Sequence, residues 1–326
     1  MKKVVKWGIM GPGSISHKFV KSLKCIEDAE ITAVGSRSKE RADEFAGQYG
    51  ILHSYGSYEE LADDKDVDIV YVATPHPAHY ECTLLCLKAG KAVLCEKPFT
   101  MNTTEAGKLI SAARESRIFL MEAMWTRFLP TIVRIKELLA KGVIGDIRMV
   151  KADFGFRSAW NPESRLLNPM YGGGALLDVG IYTISFASMI LGSRPSKITG
   201  LAHLGATGVD EQCSAVLGYD EGRMAVLSTA VRTVLPNDAW ILGTDGYIRI
   251  PEFWQANKFE LCLQDKTELI ENPYSSTGYD YEAEEAMRCL RENKLESETM
   301  PLDESLEIMR IMDDLREQWG LKYPFE

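Results

Sequence analysis

"GIMGPGSIS", residues 8–16, closes an apolar run and sets Gly11, Gly13 and Ser16 in a GxGxxS pattern where helix-compatible sequence begins. Between a strand and a helix, such a turn is the phosphate-binding corner of a dinucleotide site. The first glycine makes the tight turn, the second lets a pyrophosphate approach the backbone, and the third position takes a small residue so that helix and strand can pack. Ser16 in the third place is a mild departure. Ser14 and Ile15, in the first helical turn, would present backbone N–H groups to the phosphates. A bare glycine pattern also occurs in purely structural turns, so its surroundings have to decide.

Those surroundings extend the pattern to residue 123. Short apolar runs alternate with amphipathic stretches: "VVKWGIM", "SHKFVKSLK", "AEITAVGS", "KERADEFAGQYG", "VDIVYVAT", "AHYECTLLCLKAG", "KAVLCEK", "TEAGKLISAARES" and "IFLMEA". Strand and helix taking turns at this pace predict an α/β domain over 1–123, a doubly wound parallel sheet with helices on both faces. From 124 the alternation stops. After a helix at "TIVRIKELLAKG", strand-like runs accumulate: "IRMVKADFGF", "SKITGLAHL", "EQCSAVLGY", "RMAVLSTAV", "DAWILGT", "YIRI" and "KFELCLQ". The turns "YDEG" and "GTDG" suit hairpins. Residues 124–326 therefore read as a second, α+β domain whose large open sheet is mainly antiparallel. It holds a helix over 172–191 and an amphipathic terminal helix, "LDESLEIMRIMDDLREQWG", expected to pack back on the first domain. A chain of 326 residues suits two domains.

Composition narrows the function classes. With 45% hydrophobic and 26% charged residues the chain is neither disordered nor a coiled coil. Its 37 basic and 47 acidic side chains give a net charge of −10, which argues against nucleic acid as a partner. Lys6 breaks the first apolar run, so "MKKVVKWGIMG" reads as a strand and not a signal peptide. No uninterrupted apolar stretch is long enough to span a bilayer, so no membrane partner is expected. Seven cysteines, an odd number in no disulfide-like array, point to the reducing cytoplasm. His79, Cys82 and Cys86 share a helical face, but no second ligand pair has metal spacing. They read as a buried face carrying small thiols, with no metal expected.

The end of the second strand selects the cofactor. NAD sites commonly place a carboxylate about 20 residues beyond the glycines to accept from the ribose 2′-hydroxyl. This chain reads "AVGSRSKER", residues 33–41, where Ser36, Arg37 and Ser38 supply a cation and two hydroxyls. That set attracts a 2′-phosphate, so NADP is expected over NAD. Two further segments, "VATPHPAHYE" and "LCEKPF", follow later strands of the parallel sheet, at the carboxyl ends where open sheets bind ligands. They nominate Thr74, Pro75, His76, His79, Glu96 and Lys97 as cofactor contacts.

Farther along, "GGGALLDVGIY", residues 172–182, puts Asp178 and Tyr182 four residues apart on a helix, hence on one face. Its glycines suit a loop entering that helix beneath a ligand. Taken in order, "GIMGPGSIS", "SRSKERA", "ATPHPAHYE", "EKPF", "MEAMWTRFLP" and "GGGALLDVGIY" resemble the glucose-fructose oxidoreductase, inositol dehydrogenase and rhizopine catabolism (Gfo/Idh/MocA) family. The likeness covers nearly the whole chain. It is nearest the branch containing dimeric dihydrodiol dehydrogenase and NADP-dependent aldose dehydrogenases.

The resemblance implies a Rossmann domain followed by a domain whose open sheet often serves dimer contacts, hence a homo-oligomer. It assigns Lys97 of the Glu-Lys-Pro motif a catalytic role, with a cis bond before Pro98. It places the acid and base of the catalytic helix at Asp178 and Tyr182, where many members carry His in place of Tyr. His76 stands where many members have Asn near the nicotinamide. Oxidising an alcohol requires loss of a hydride and of the hydroxyl proton. A phenol ionises near pH 10 and is a weak base at neutral pH, and a lysine beside it favours the phenolate. Tyr182 with Lys97 is thus the expected acid–base pair, with Asp178 accepting a substrate hydroxyl or pairing with Lys97. Candidate substrate contacts are Trp125, Arg127, Phe154, Trp160 and Arg165, with Phe156 and Arg157 nearby: aromatic faces for the apolar side of a sugar or cyclic diol, arginines for its hydroxyls. The expected activity is NADP-dependent hydride transfer to or from a small polyhydroxylated substrate. The alternative is a catalytically silent nicotinamide-binding sensor, since the family includes a regulatory protein without turnover.

Overall fold

The computed structural model describes residues 4–326, which divide into two units. One comprises the described chain through Trp125 together with Ser275–Ser305, and the other Thr126–Tyr274 with Leu306–Glu326. The division expected at 123/124 lies beside the first crossing, and residues 275–305 group with the first unit.

The first unit is a six-stranded sheet of β1 (Val5–Met10), β2 (Ala29–Gly35), β3 (His53–Tyr55), β4 (Ile69–Val72), β5 (Ala92–Glu96) and β6 (Leu120–Ala123). All are parallel, in the order β3-β2-β1-β4-β5-β6. The winding direction reverses between β1 and β4, the switch point at which such sheets bind ligands. Helices α1 (Ser14–Leu23), α2 (Lys39–Tyr49), α3 (Tyr58–Asp63), α4 (His79–Lys88) and α5 (Thr103–Ser116) make the crossovers. β4 and β5 are buried at every position, as strands covered on both faces must be. Above β1 the Phe19 and Tyr71 rings stack with centroids 3.7 Å apart, and Trp7 meets Phe19 edge-on at 5.3 Å. Each such pair adds roughly 0.5–1.5 kcal/mol beyond its buried area. Ser38, Ser57 and Asn102 cap α2, α3 and α5 by accepting from a backbone N–H in the first turn.

The second unit opens with α6 (Pro130–Ala140) and carries eight strands: β7 (Ile147–Gly155), β8 (Lys197–Leu204), β9 (Asp210–Gly218), β10 (Met224–Ala230), β11 (Ala239–Gly243), β12 (Gly246–Ile250), β13 (Lys258–Leu263) and β14 (Lys266–Glu271). Their order is β14-β13-β12-β11-β7-β10-β9-β8, antiparallel except for the parallel pair β7–β10. The turns "YDEG" and "GTDG" join hairpins β9–β10 and β11–β12. Helix α7 (Ile181–Leu191) lies across β7 and β10 and is buried along nearly its whole length. β8 and β9 alternate in exposure, so one face of the sheet is turned outward. Leu201, Val216 and Met224 are exposed there and share that face by register.

The returning segment brings α8 (Asp280–Arg291) to the first unit, where the Ser22 hydroxyl donates to Asp280 at 3.1 Å and Arg291 pairs with Asp28 at 2.7 Å. The last helix, α9 (Leu302–Trp319), has its first turn in the first unit and the rest in the second. Among the described residues one helical run, Pro169–Leu191, is long and apolar enough by composition to cross a bilayer, and 89% of its apolar 18-residue window is buried inside the protein. The α/β class, the parallel sheet and the large, mainly antiparallel second sheet are as expected, whereas β3, α3, β14 and α8 had no counterpart in the sequence reading.

Candidate active site

The two glycines of the first turn have different reasons for being glycine. Gly11 sits at φ +92°, and a Cβ there would come 3.0 Å from the Ala73 carbonyl oxygen, so conformation and the approach of the β4 loop both demand it. At Gly13 a Cβ would meet no protein atom within 4 Å. Packing does not explain that glycine, and an open face at the start of α1 suits a pyrophosphate held against the backbone. Ser14 is exposed and Ile15 half-buried in this first turn, which carries no acidic residue to oppose an anion. Ser16 is fully buried and donates from Oγ to the Gly11 carbonyl at 2.6 Å. The third position is thus small for packing and polar to lock the turn. These features fit a dinucleotide.

At the end of β2, Ser36 is buried, its N–H donates to Tyr55, and its Oγ accepts from the Ser38 N–H at 3.2 Å. Ser38 in turn caps α2 and donates to Glu40 at 2.7 Å. Both hydroxyls nominated for the cofactor therefore shape the turn itself, and a carboxylate the sequence reading had not weighed, that of Glu40, stands beside them. The Ser38 hydrogen bond holds that carboxyl below its usual range. Arg37 and Arg41 are both exposed here, and both act on the phenol of Tyr58. Arg41 is a second cation for the same corner.

The loops after β4 and β5 are tied together by His79. Its ring is 1% exposed, with Nε2 facing the Thr74 carbonyl and Nδ1 the Pro98 carbonyl, each at 2.8 Å. Burial dominates its titration and pulls the pKa to about 4, against the two carbonyls that favour the cation and with the Lys97 charge opposing it. His79 thus braces the Thr74–Pro75–His76 loop against the Lys97–Pro98 turn, and its nitrogens are engaged with carbonyls instead of pointing toward Cys82 and Cys86. Burial pushes the Cys82 thiol up to about 11 and the Cys86 thiol higher still. His76 is half-buried with its ring 5.8 Å from that of His79.

The Lys97–Pro98 bond is cis, as expected. Glu96 is buried, accepts from the Tyr71 hydroxyl at 2.5 Å, and accepts from the Lys97 N–H at 3.1 Å. Two residues farther, Phe99 N–H donates to the fully buried Glu122, whose other oxygen accepts from Ser305 at 2.7 Å. The backbone carrying Lys97 is therefore held from both sides by carboxylates. Trp125 is buried and stacks on Tyr279, centroids 4.7 Å apart. Tyr279 was not nominated, because it lies in the returning segment with no motif around it.

In the second unit, Asp178 falls in a wide turn, Leu176–Gly180, where Ile181 N–H donates to the Leu176 carbonyl five residues back, before α7 resumes α-helical spacing. Wide turns of this kind are frequent at functional sites. Asp178 and Tyr182 are 3% and 8% exposed. The partner seen on Asp178 is Arg165: Nη1 lies 2.6 Å from Oδ1, with the arginine side chain 62% exposed. Tyr182 meets Phe154 edge-on at 5.4 Å, and Phe154 stacks on Trp254 at 4.3 Å. Trp254 is an aromatic the sequence reading missed, since "EFWQ" falls between strands without a periodic signal. Arg127, nominated for substrate, is instead 2% exposed and donates to the Ser185 hydroxyl and carbonyl at 2.9 Å each, a strut under α7. Trp160 is half-exposed under the Arg232 guanidinium at 5.6 Å, Arg157 is exposed and Phe156 half-buried.

Residues 5–123 match the family described as "Oxidoreductase family, NAD-binding Rossmann fold", and residues 132–249 match the "GFO/IDH/MocA C-terminal domain". The chain belongs to the Gfo/Idh/MocA oxidoreductase family. It is therefore an oxidoreductase with that family's NAD-binding Rossmann domain. A trans-1,2-dihydrobenzene-1,2-diol dehydrogenase of Xenopus tropicalis is 40% identical over 98% of this chain and 99% of its own. The human protein of the same name is 36% identical over 98% of both chains. Among solved structures, a 3-ketoreductase from Actinomadura kijaniata in complex with NADP and TDP-benzene superposes with a TM-score of 0.87 at 27% identity, covering 97% of this chain and 98% of that one. An aldose-aldose oxidoreductase from Caulobacter crescentus shares the fold at a TM-score of 0.89 and 24% identity, over 97% of both chains.

Proposed function

We propose that the protein is an NADP-dependent oxidoreductase acting on a small polyhydroxylated substrate, an aldose, keto-sugar or cyclic trans-diol, with Lys97 and Tyr182 as its acid–base pair. The observation that carries this reading is a nearly buried phenol, Tyr182, set edge-on against Phe154 on the same helix as the Asp178–Arg165 pair. An aromatic wall of Phe154 and Trp254 suits the apolar face of a sugar or a cyclohexadiene diol, and the paired charges beside it suit hydroxyls. The name carried by relatives 36–41% identical over 98–99% of their length favours the trans-diol.

Bound nicotinamide supplies a two-electron hydride acceptor or donor. In oxidation the carbinol C–H bond breaks with its electron pair leaving as hydride, a C=O bond forms, and the hydroxyl proton passes to Tyr182 in its phenolate form, which becomes the neutral phenol. Reduction retraces these steps. Lys97 supplies the cation that pairs with the phenol, and Asp178 with Arg165 orients a second substrate hydroxyl. Gly11, Gly13 and the first turn of α1 hold the pyrophosphate, Arg37 with Arg41 the 2′-phosphate, and the Thr74–His76 loop braced by His79 the nicotinamide end. The outward sheet face bearing Leu201, Val216 and Met224 is assigned to a homodimer, which sedimentation velocity would detect. Seven free cysteines, six of them buried, suit a reducing cytoplasm.

The test is turnover of trans-1,2-dihydrobenzene-1,2-diol, aldoses and inositols with NADP, followed by nicotinamide absorbance. Tyr182→Phe keeps the ring and should retain folding and NADPH binding while turnover falls by roughly 10²–10⁴, the contribution of a positioned acid or base. Lys97→Met should lose a similar factor, and the double variant less than the product of the two. Near-normal turnover in Tyr182→Phe removes the pair. Tight NADPH binding by the unmutated chain with no turnover on any substrate leads to the sensor reading.

A further inference from the structure

The helix that carries Asp178 and Tyr182 starts without a local cap. Residues 172–174 are glycines and residue 175 is alanine, so no side chain just before the helix can take the orphan N–H groups of its first turn. The acceptor comes from strand β9. Asp210 Oδ2 takes the Leu176 N–H at 2.6 Å, across 34 positions of sequence, and the carboxyl is fully buried. Gly174 is shaped around the same group: it sits at φ +120°, and a Cβ there would lie 2.1 Å from Asp210 Oδ1. A second hold comes from the chain's C-terminal segment, where the buried Tyr323 hydroxyl donates to the Gly173 carbonyl at 2.7 Å.

Keeping a carboxyl in this place is costly. Burial pushes Asp210 up to about 7, against the backbone N–H groups of Leu176 and Ala175 and the charge of Arg316, which favour the anion. Cys213 and Tyr323 are the other titratable groups facing it. Its Oδ1 has no hydrogen-bond partner among the described residues. Carboxyls retained in such surroundings cluster at functional sites, where geometry matters more than stability.

From this geometry we infer that Asp210 is a positioning residue: it caps, from another strand, the helix that presents Asp178 and Tyr182, and Tyr323 holds the glycine loop at its entrance. The catalytic part of this inference rests on the reading of Tyr182 above, whereas the placement of the helix does not. A displacement of about 1 Å at a reacting group can cost on the order of 100-fold in rate.

The test uses the full-length chain with Asp210→Ala, Asp210→Asn and Tyr323→Phe. Asp210→Ala should lower kcat roughly 10- to 100-fold with the KM for NADP unchanged, and Asp210→Asn, which keeps an oxygen acceptor, should regain most of the loss. Hydrogen exchange followed by mass spectrometry should show faster exchange across 175–182 in Asp210→Ala but not in Asp210→Asn. Unchanged exchange in Asp210→Ala, or an Asn variant no better than Ala, overturns the proposal. Should Asp210→Ala fail to fold, as judged by circular dichroism, Tyr323→Phe decides: faster exchange over 172–176 supports the inference and unchanged exchange there overturns it. If the unmutated chain turns over no substrate, the proposed activity falls while the exchange readout still decides the role of Asp210.

Discussion

His79 gives the sharpest physical test of how the first-unit loops are built. Its two ring nitrogens each face a carbonyl oxygen, an arrangement that both could satisfy as donors only if the ring were an imidazolium. Burial and the Lys97 charge act the other way and win, lowering the pKa from 6.5 to about 4. A base whose folded pKa lies below its unfolded value binds fewer protons when folded, so its contribution to stability is intact above the unfolded pKa and is lost as pH falls toward the folded one. At about 1.36 kcal/mol per unit, the full loss is about 3 kcal/mol, of which about 2 kcal/mol falls between pH 7 and pH 5. Denaturant unfolding of the unmutated chain and of His79→Gln over that range isolates this amount as the change in their difference, because the other titrating groups are common to both. NMR of the imidazole Cε1–H supplies the pKa directly, and with only five histidines in the chain the signal missing from His79→Gln identifies it. A His79 that titrates at or above 6.5, with a stability difference independent of pH, would refute the reasoning and make the ring a cationic clasp between the two loops.

Arg37→Ala should narrow the preference for NADPH over NADH by about 1.5–3 kcal/mol, the worth of a hydrogen bond to a charged group, as read by calorimetry; equal affinities in the unmutated chain remove the 2′-phosphate assignment. Glu282 is fully buried on α8 with neither carboxyl oxygen hydrogen-bonded among the described residues, and burial, then the charge of Glu96, hold it well above the usual range. Its folded pKa is raised, so it subtracts stability as pH rises above its unfolded value, and the stability of Glu282→Gln relative to the unmutated chain should grow with pH there, by at most about 1.4 kcal/mol per pH unit while the folded carboxyl stays protonated. A flat difference would show that the carboxyl is ionised and paired. Arg165→Ala should destabilise by about 1 kcal/mol, discounted for the exposure of the arginine, and the loss should shrink in an Asp178→Asn background.

Legibility in the sequence followed the range of the interaction. The turn at Gly11, Gly13 and Ser16 was readable because everything it needs lies within a few residues: a strand, a positive φ, a small third residue and a helix. The helix expected over 172–191, which begins after the glycines at Leu176, was readable for the same reason, and so were the hairpins at "YDEG" and "GTDG". β3 was missed because three residues, "HSY", cannot show an alternation, and α8 because its buried positions, Ala283, Ala286, Met287 and Cys289, make only a faint apolar stripe among acids. Residue roles were harder still. Ser36 and Ser38 sit in the right corner but are engaged by the turn they belong to, and Arg127 sits in the right motif but is engaged by Ser185 of α7.

A nominated residue type fixes what a side chain can do, and burial decides whether it does it to a ligand or to its own fold. Asp210 is the limiting case. Nothing in "GVDEQ" distinguishes that aspartate from a hairpin residue, since the N–H it accepts from and the glycine that makes room for it lie more than thirty positions earlier. Read backwards, however, "GGGALLDVG" does carry a clue: a helix preceded by three glycines and an alanine has no cap of its own, and a buried helix start must find one. The missing cap is a local fact, and it predicts a distant acid or hydroxyl without saying which.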